Sequence, residues 1–484
     1  MAFIRKVKTA SGATAVQIAY KQYGQIVGID HIGSAHTQAD LETLLVLAKK
    51  RLVGGQQYLF KETLSSSPLT INLKQSVSDL LLQVLTKQYN YLGFNQLEDD
   101  IFTYLCVARI VEPTSKLDSL RVLTELGVTG LSKNQLYRCL GQVVAKDYRQ
   151  IISKLCFVYA SAKGISLILY DVTTLYFEIQ KEDEYRKSGM SKERRLEPQI
   201  IVGLLVDQYG FPLGLHSFEG NKAETTTILP VIEAFKAQHC LKDITVVADA
   251  GMLSSKNLEA LVNAGYTYIV GSRLNKIPYE IAEYQKTGKL IDQQVMTTPL
   301  EGGQRIIYQY REKRAALDIH NIEKQIAKAE KIISGKTIVK KAKFVSLQTK
   351  DKKLNQVLID KTKALAGIKG YVTNLAIADE QVIASYHQLW HVEKSFRMSK
   401  SDLKARPIFH HKRDSIEAHL TIVLASLAIG QTIEHQTGLS IKRFVKQLRP
   451  IRSGIVTING KEYSAEAEIP AEVQTLLHQL QIGH

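Results

Sequence analysis

The spacing of apolar positions near the start of the chain predicts two strands followed by a helix. Residues 14–20 and 25–33 are apolar-rich, and a Tyr-Gly pair at 23–24 between them is a turn signal. Leucines then recur at helical spacing over residues 38–53. These elements predict a small α+β unit over residues 1–85.

The next region, residues 86–162, has helical spacing. Three helices are predicted, over residues 97–109, 116–126 and 132–144. A Gly-Val-Thr-Gly turn separates the last two, and Ser132 is a suitable N-cap. One interpretation is an ordinary helical bundle. The other is a helix-turn-helix that presents four side chains to DNA: Lys133, Gln135, Tyr137 and Arg138.

From residue 163 the pattern changes to strands and helices. Apolar strands are predicted at 165–170, 199–206, 212–218, 244–248 and 266–270, and helices at 228–237 and 256–264. A turn signal at 207–210 joins the second and third strands as a hairpin. The order β-β-β-α-β-α-β predicts an α/β fold over residues 163–272, with a mixed sheet and helices on its faces.

Residues 273–369 interrupt this alternation and form a predicted insertion. Its main element is an amphipathic helix whose apolar residues lie three or four positions apart: Ala315, Ile319, Ile322, Ile326, Ala329 and Ile333. This seam fits packing within the insertion, and it also fits a contact between two copies of the chain.

The sheet pattern resumes over residues 370–435. A strand at 370–375 precedes a long helix at 379–398, and a mainly apolar helix follows at 417–435. Residues 436–484 then form a small C-terminal unit with weak signals.

Charge adds a second signal to this pattern. The 484-residue chain has 63 Lys+Arg and 47 Asp+Glu, which leaves a net charge of +16. A folded protein this basic favours a polyanionic partner such as nucleic acid. Residues 336–370 contain ten Lys and two Asp, so half of the net charge lies in this stretch of the insertion. The hydrophobic content of 45% is typical of a globular protein and excludes disorder for most of the chain.

The cysteine spacing and the hydropathy of the chain indicate the cellular compartment in which the protein works. The spacing of Cys106, Cys139, Cys156 and Cys240 fits no zinc site and suggests no disulfide framework. The N-terminus lacks a signal-peptide layout, and no apolar run reaches the ~18 residues of a membrane helix. We therefore expect a cytoplasmic protein that has no membrane partner and that associates with the nucleoid when bound to DNA.

Three carboxylates are candidates for metal-dependent chemistry. Asp171 follows the apolar strand at 165–170 and Asp249 follows the strand at 244–248, where open α/β sheets place ligands. Glu393 lies on the helix after the insertion. Mg²⁺ prefers oxygen ligands, and two ions held by carboxylates can activate an attacking oxygen and stabilise a leaving one. In a basic protein, such a cluster favours phosphodiester chemistry on DNA or RNA. Taken singly, an Asp that follows a buried strand also fits a helix cap.

The helix that carries Glu393 presents a mixed polar face. Tyr386, Trp390, Glu393, Arg397 and Lys400 recur at helical spacing and share this face. An acid for a metal beside cations for phosphate is a suitable surface for nucleic acid. The alternative is an amphipathic helix whose charges are simply solvated.

At these residues the chain resembles the DDE transposases of bacterial insertion sequences, in particular the cut-and-paste subgroup with the signature Y-x2-R-x3-E-x6-K. Tyr386, Glu393 and Lys400 match the signature in residue type and spacing. Leu389 stands at the signature Arg position, which is a departure.

Two further blocks carry the resemblance. Tyr-Asp-Val-Thr-Thr at 170–174 resembles the first acidic motif of the family, and Val-Ala-Asp-Ala-Gly-Met-Leu at 247–253 resembles the second. The subgroup also carries an insertion between the second Asp and the Glu. The resemblance spans roughly residues 165–435.

The resemblance implies an RNase H-like core in which Asp171, Asp249 and Glu393 bind two Mg²⁺ ions, with Mn²⁺ able to substitute. A metal-activated water would cut the DNA strand at the element's end, and the freed 3′-hydroxyl would attack a second phosphodiester. The implied partners are double-stranded DNA, at the element ends and the target, and a second copy of the chain in a synaptic complex.

The predicted function is therefore a DNA transposase that binds the terminal inverted repeats of an insertion sequence. One alternative is a catalytically inactive DNA-binding relative. The other is an RNase H-like nuclease without transposition.

The family also implies roles for the helix that carries Glu393. Tyr386 and Lys400 would hold the DNA backbone near the cut. Trp390 would stack on a flipped base or pack in the core. Apart from the family's pattern, one hypothesis is that Arg397, one turn beyond Glu393, compensates for the missing signature Arg.

Position and charge add further predicted DNA contacts. Asn221 lies at a strand-to-helix turn near the expected site, where it would orient DNA or simply make the turn. In the basic stretch of the insertion, Lys340, Lys341 and Lys343 are expected to bind the phosphate backbone.

Overall fold

The structure, a computed structural model, describes most of the chain as two compact units. The described residues are 2–10, 12–54, 71–178, 181–189, 197–239, 245–251, 255–272, 278–335, 343–346, 353–458 and 460–480. The units are Met1–Thr70 and Ile71–His484, and each is described by itself.

The first unit is a three-stranded antiparallel sheet with one helix. It contains β1 (Ala2–Lys8), β2 (Thr14–Gln22), β3 (Gln25–Ala35) and α1 (Gln38–Gly54), with β2 in the centre of the sheet. The two predicted strands and the helix are confirmed. Tyr23 and Gly24 join β2 to β3 with positive φ angles of 50° and 84°, as a tight hairpin turn between right-twisted strands requires.

The second unit begins with one strand and a group of helices. These are β4 (Ile71–Val77), α2 (Asp79–Tyr91), α3 (Asp100–Val111), α4 (Ser119–Glu125), α5 (Lys133–Ala145) and α6 (Tyr148–Ser161). The predicted cap of α5 is confirmed as a capping box. The Gln135 backbone N–H donates to Ser132 Oγ at 3.3 Å, and the Ser132 N–H donates to the Gln135 side chain at 2.8 Å.

A mixed sheet forms the centre of the second unit. Its first elements are β5 (Leu167–Tyr176), β6 (Gln199–Asp207), β7 (Pro212–Glu219), α7 (Ile228–His239), β8 (Thr245–Ala248), α8 (Ser255–Asn263) and β9 (Thr267–Ser272). Their spatial order is β7-β6-β5-β8-β9, in which β6 is antiparallel to both neighbours and β5, β8 and β9 are parallel. This order and these directions are those of an RNase H-like core.

The insertion extends this sheet and adds a small core of its own. It contains α9 (Tyr279–Thr287), β10 (Val295–Pro299), β11 (Arg305–Tyr310), α10 (Glu312–Ile333), β12 (Val345–Ser346), β13 (Lys353–Leu354) and α11 (Gln356–Ala364). Ile322 and Ala329 of α10 pack against Phe344 and Ile359, so this part of the predicted seam packs within the insertion.

The chain then returns to the sheet with β14 (Ile368–Thr373), which pairs with β9 and β11. The complete sheet has eight strands in the order β10-β11-β14-β9-β8-β5-β6-β7. The insertion is therefore joined to the edge of the core sheet by continuous backbone hydrogen bonding through β11 and β10.

The prediction of one continuous helix over residues 379–398 is wrong. The structure has α12 (Asp379–His387) and α13 (Trp390–Arg397), followed by a π turn over Met398–Asp402. Between the helices, the Leu389 N–H donates to Tyr386 O at 3.1 Å and the His391 N–H to Gln388 O at 2.9 Å. These bonds span three residues instead of four, so the backbone is wound more tightly there and the face after it is rotated.

The centre of the core is α14 (Arg413–Thr437), which packs against α3, α5, α6 and β7. This helix is long and apolar enough to cross a membrane by length and composition, but nearly all of its apolar window is buried inside the protein. The chain continues with α15 (Ile441–Leu448), β15 (Ser453–Ile458), β16 (Lys461–Ala465) and α16 (Ala471–Gln479). Strands β16, β15 and β4 form a separate antiparallel sheet.

Candidate active site

Two of the predicted acids lie side by side at the point where β5 and β8 separate. The last parallel pair between these strands is Tyr170 with Ala248, and Asp171 and Asp249 directly follow that pair. Asp171 was predicted at the end of its strand, but β5 continues to Tyr176 because β6 remains paired with it to that residue. The two carboxylates therefore start from adjacent backbone positions.

Glu393 is brought to the same place by the packing of α13 on β5 and β6. The inner face of α13 buries Val392, Ser395 and Phe396, and the Ser395 hydroxyl donates to Gly210 O at 2.7 Å. Glu393 lies on the exposed side of this helix. Because its neighbours on the helix are fixed by the core, its position relative to the two Asp residues is also fixed.

The three carboxylates line one cavity of about 280 Å³, which we call the carboxylate cavity. Its walls are formed by Asp171, Asp249, Lys369, Tyr386, His387, Leu389, Trp390, Val392 and Glu393. Asp171 and Asp249 precede the insertion in the sequence, and Glu393 follows it.

Tyr386 contacts one of the acids directly. Its hydroxyl donates a hydrogen bond to Asp249 Oδ1 at 2.8 Å, and its ring makes an edge contact with Tyr371 at a centroid distance of 4.9 Å. Burial and the neighbouring Asp249 charge raise the pKa of Tyr386, so the hydroxyl stays protonated. A Cβ at Gly271 would lie 2.5 Å from this hydroxyl oxygen, which explains glycine at that position of β9.

Lys369 is a charged residue of this cavity that sequence reasoning missed. It lies on β14, and its Nζ is 4.2 Å from the centre of the Tyr386 ring. Burial and Arg314 lower the pKa of Lys369, whereas Asp249 and Glu393 oppose that shift. The available signal was a single charged residue within the apolar strand Ile-Lys-Gly-Tyr-Val-Thr.

The other residues of this region that were predicted to contact DNA lie around the cavity, and their side chains differ in solvent exposure. Trp390 lines the cavity, is 52% exposed and lies close to the His391 ring, with a centroid distance of 3.8 Å. Lys400 donates a hydrogen bond to Thr173 Oγ1, two residues beyond Asp171 on β5. Arg397 is exposed on α13 and does not line the cavity. Their roles in DNA binding stay predictions.

The remaining predicted contacts lie farther out. Asn221 is exposed in the turn that follows β7, outside the carboxylate cavity. Lys343 lines a neighbouring cavity, whereas Lys340 and Lys341 lie outside the described residues.

This neighbouring cavity, the insertion cavity, has a volume of about 940 Å³ and shares Asp249, Lys369 and Tyr386 with the carboxylate cavity. Its other walls come largely from α10 and α11. Its cations are Arg314, Lys343, Lys361 and Lys369, and its acids are Asp249 and Asp318. A positively charged surface of the insertion thus continues directly from the carboxylates.

The donor set of the carboxylate cavity fits a hard divalent cation. Three carboxylates provide the oxygen ligands that Mg²⁺ and Mn²⁺ prefer, and Tyr386 leaves the second oxygen of Asp249 available. Within the described ranges, no group of three His, Cys, Asp or Glu side chains is drawn together tightly enough to form a complete metal site.

Comparison with known proteins identifies the family. The sequence model of the transposase DDE domain matches residues 162–429, more than half of the chain. One similar solved structure is a cryo-EM structure of the piggyBac transposase synaptic complex with hairpin DNA, with 11% identity and a TM-score of 0.43 over 79% of this chain and 82% of that one. A search of curated proteins finds no match. The match to the domain and the order of the core strands lead to one conclusion: the chain belongs to the family of DDE transposases.

Proposed function

We propose that this chain is a DNA transposase that binds the terminal inverted repeats of an insertion sequence and uses Mg²⁺ to cut and transfer DNA strands. The observation that carries the proposal is the convergence of Asp171, Asp249 and Glu393 on one cavity. Family membership supports the reaction class. The adjoining cations of the insertion cavity support DNA as the substrate.

Mg²⁺ ions held by the three carboxylates would supply the Lewis acid for an in-line displacement at phosphorus. In the first step a water oxygen bonds to phosphorus, the P–O3′ bond breaks, and the departing 3′-oxygen takes up a proton. In the second step this 3′-hydroxyl loses its proton and bonds to another phosphorus, and the 3′-oxygen of that strand leaves. In this second step one phosphodiester is exchanged for another, so strand transfer needs no energy source.

The chain's own residues would have separate tasks in this reaction. The hydroxyl of Tyr386 fixes the orientation of Asp249 through a hydrogen bond. Lys369 would place its ammonium group on a non-bridging oxygen of the phosphate. Leu389 lines the same cavity and replaces the signature Arg, so we assign to Lys369 the charge that this Arg would otherwise supply.

The insertion would hold the DNA beside the cut. Arg314, Lys343 and Lys361 line the cavity that adjoins the carboxylates, so a backbone that leaves the reacting phosphate would meet these cations next. We also propose that two copies of the chain hold two DNA ends together, and that the reaction takes place in the cytoplasm on nucleoid DNA.

A strand-cleavage assay tests this function. The full chain is incubated with Mg²⁺ and duplexes that carry the element's terminal repeats or a scrambled sequence, and 3′-end nicking is scored. We expect repeat-specific nicking that Asp171→Ala and Glu393→Ala abolish, whereas Glu468→Ala, an exposed acid remote from the cavity in sequence, serves as the control.

Two outcomes would contradict the proposal. Repeat-specific binding without cleavage would identify an inactive DNA-binding relative. Cleavage that ignores the repeat sequence and yields no strand transfer would identify an RNase H-like nuclease.

A further inference from the structure

Another cavity of the larger unit is lined by positive charge. It has a volume of about 510 Å³ and lies between the end of α3, the loop that follows it, α5, residues 404–410 and α14. Its ionisable basic side chains are Arg109, Lys116, Lys404, Arg406, His410 and His419. Among the described residues, no Asp or Glu lines it. We call it the cationic cavity.

Two of these cations are buried, and neither has a partner of opposite charge among the described residues. Arg109 is 7% exposed and Lys116 is 5% exposed. Neither side chain has a hydrogen bond or ion pair with any residue that the structure describes. Buried charges in proteins are normally paired, because removing a charge from water without compensation is costly. Both side chains border the cavity, so a ligand there could supply the missing negative charge.

The charges in the cavity repel one another. Burial lowers the pKa of Arg109 to about 10, and burial together with Arg109 lowers the pKa of Lys116 well below its usual range. Burial and these two cations also lower the pKa of His410 to about 4 and lower the pKa of His419 well below its ordinary value. Arg109 and Lys116 therefore make the neighbouring basic groups harder to protonate, and no Asp or Glu among the described residues lining the cavity offsets their charge.

We propose that the cationic cavity binds a phosphate group and that, in the protein at work, this group belongs to the backbone of the DNA being cut. The phosphate part of the proposal stands on the buried cations alone. The DNA part rests on the proposed function, and two structural features support it.

The first feature is the rim of the cavity. Tyr137 and Phe409 lie there and are 49% and 65% exposed, and Lys133 Nζ is 5.7 Å from the centre of the Tyr137 ring. Exposed aromatic rings beside cations suit a nucleotide chain, whose sugars and bases pack on rings while its phosphates pair with cations. A free inorganic anion would make no favourable contact with these rings.

The second feature is the connection to the carboxylate cavity. The Ile408 N–H donates to Tyr176 O at 3.2 Å, and the Arg406 guanidinium lies 5.6 Å from the Tyr176 ring. Tyr176 ends the strand that carries Asp171 five residues earlier, which corresponds to roughly 17 Å along β5. A span of that order reaches a few nucleotides along one DNA strand. The cavity therefore lies at a suitable distance to hold a phosphate a few nucleotides from the cut.

Two variants separate the buried and the accessible parts of the site. Lys116→Met removes a buried charge, and Lys404→Gln removes an exposed one on the rim, where folding is not at stake. Lys446→Gln removes an exposed charge on α15 and is the matched control. All variants are made in the full chain with Asp171→Asn as the background, so that DNA is bound without being cut.

The first measurement uses inorganic phosphate as the probe. Phosphate at fixed ionic strength, with chloride as the reference, is expected to raise the melting temperature of the parent and of the control by mass action. It should raise the melting temperature of the Lys116→Met variant much less. If phosphate protects parent and Lys116→Met equally, or protects neither, the cavity is not a phosphate site.

The second measurement uses duplex DNA over a series of salt concentrations. Lys404→Gln and Lys116→Met should each weaken binding by about tenfold or more and reduce the salt slope by about one, whereas the control changes neither. Unchanged DNA binding beside lost phosphate protection would overturn the DNA part and assign the cavity to a free phosphate ligand. A wild-type chain that shows phosphate protection but never cleaves DNA would instead refute the proposed function while leaving this site intact.

Discussion

The carboxylate cavity and the cationic cavity differ in how the charges that line them are compensated. In the first, Asp171, Asp249 and Glu393 share their space with Lys369, and a tyrosine hydroxyl satisfies one carboxylate oxygen. In the second, Arg109 and Lys116 are buried with no described partner of opposite charge. Under the proposed function, the mixed cavity serves the reaction, in which charge develops and moves. Under the further proposal, the uniformly positive cavity binds a phosphate group whose charge is fixed.

Substitutions in the two cavities should affect different properties of the protein. A substitution in the carboxylate cavity should reduce the rate of cleavage and leave DNA binding nearly unchanged. A substitution in the cationic cavity should reduce DNA binding or alter stability. Four substitutions test this division of roles between the two cavities.

Loss of a single carboxylate should have the largest effect. Glu393→Gln keeps the size of the side chain but removes the charge that a divalent cation needs, so cleavage should fall by about 10³-fold or more. Binding to repeat DNA in Ca²⁺ should stay within about twofold of wild type, since neutralising one acid beside a polyanion does not weaken its attraction. Nicking on gels and fluorescence anisotropy measure the two quantities, and a parallel loss of both would break the distinction between the cavities.

Removal of the Lys369 charge should have the next largest effect. Lys369→Met should slow single-turnover cleavage about 10–100-fold, because a charge-assisted contact to the phosphate is lost. Lys369→Arg should retain most of the rate. Leu389→Arg, introduced into the Lys369→Met variant, should restore part of it, because both side chains line the same cavity. Failure of either arginine to restore the rate would show that Lys369 acts only through packing on Tyr386.

The Tyr386 hydroxyl should matter less than the charges. Tyr386→Phe leaves the ring packing on Tyr371 but frees Asp249, so cleavage at limiting Mg²⁺ should fall about tenfold and recover in part as Mg²⁺ is raised. The raised pKa of Tyr386 keeps its proton in place above pH 10, so this hydroxyl should add no alkaline limb to the wild-type pH profile. A rate that is insensitive to the substitution at every Mg²⁺ concentration would remove Tyr386 from the site.

The smallest effect is expected on stability in the cationic cavity. The pKa of Lys116 is lowered in the folded state, so the unfolded chain binds more protons and stability should rise with pH up to about the ordinary lysine pKa of 10.4. In phosphate-free buffer at pH 7, Lys116→Met should therefore raise the free energy of unfolding by about 1–2 kcal/mol and flatten this pH dependence. Chemical denaturation over a pH series measures both, and a destabilised Lys116→Met variant would show that the buried cation is already compensated.

The sequence predicted the parts of the fold that depend on local pattern. The apolar runs predicted which segments of the core become strands and helices along the chain, and the Ser132 cap and the apolar α14 could be predicted from single segments. The break between α12 and α13 could not be predicted from the sequence. Gln388 and Leu389 are ordinary helix formers, and the tighter turn follows from packing on both sides. Local propensity contains no information on that constraint.

The candidate site shows the same limit. The three acids could be proposed because each follows or lies on a recognisable element. Lys369 was missed because its position depends on β14 pairing next to β9, more than 90 residues away in sequence. The cationic cavity was missed for the same reason: Lys116 and His419 are unremarkable in sequence and meet only in three dimensions. Long-range pairing, and not composition, decides which charges become neighbours.

A change of ligand chemistry probes whether the carboxylate cavity holds the divalent metal of a strand-cleavage site. Asp249→Cys replaces a hard oxygen ligand with a softer sulfur ligand, which Mg²⁺ accepts poorly and Mn²⁺ accepts better. This variant is expected to be inactive in Mg²⁺ and to regain repeat-specific nicking in Mn²⁺, while the wild type cuts in both. Equal activity of the variant in the two metals, or no rescue by Mn²⁺ when DNA binding is intact, would contradict a metal-ligand role for Asp249.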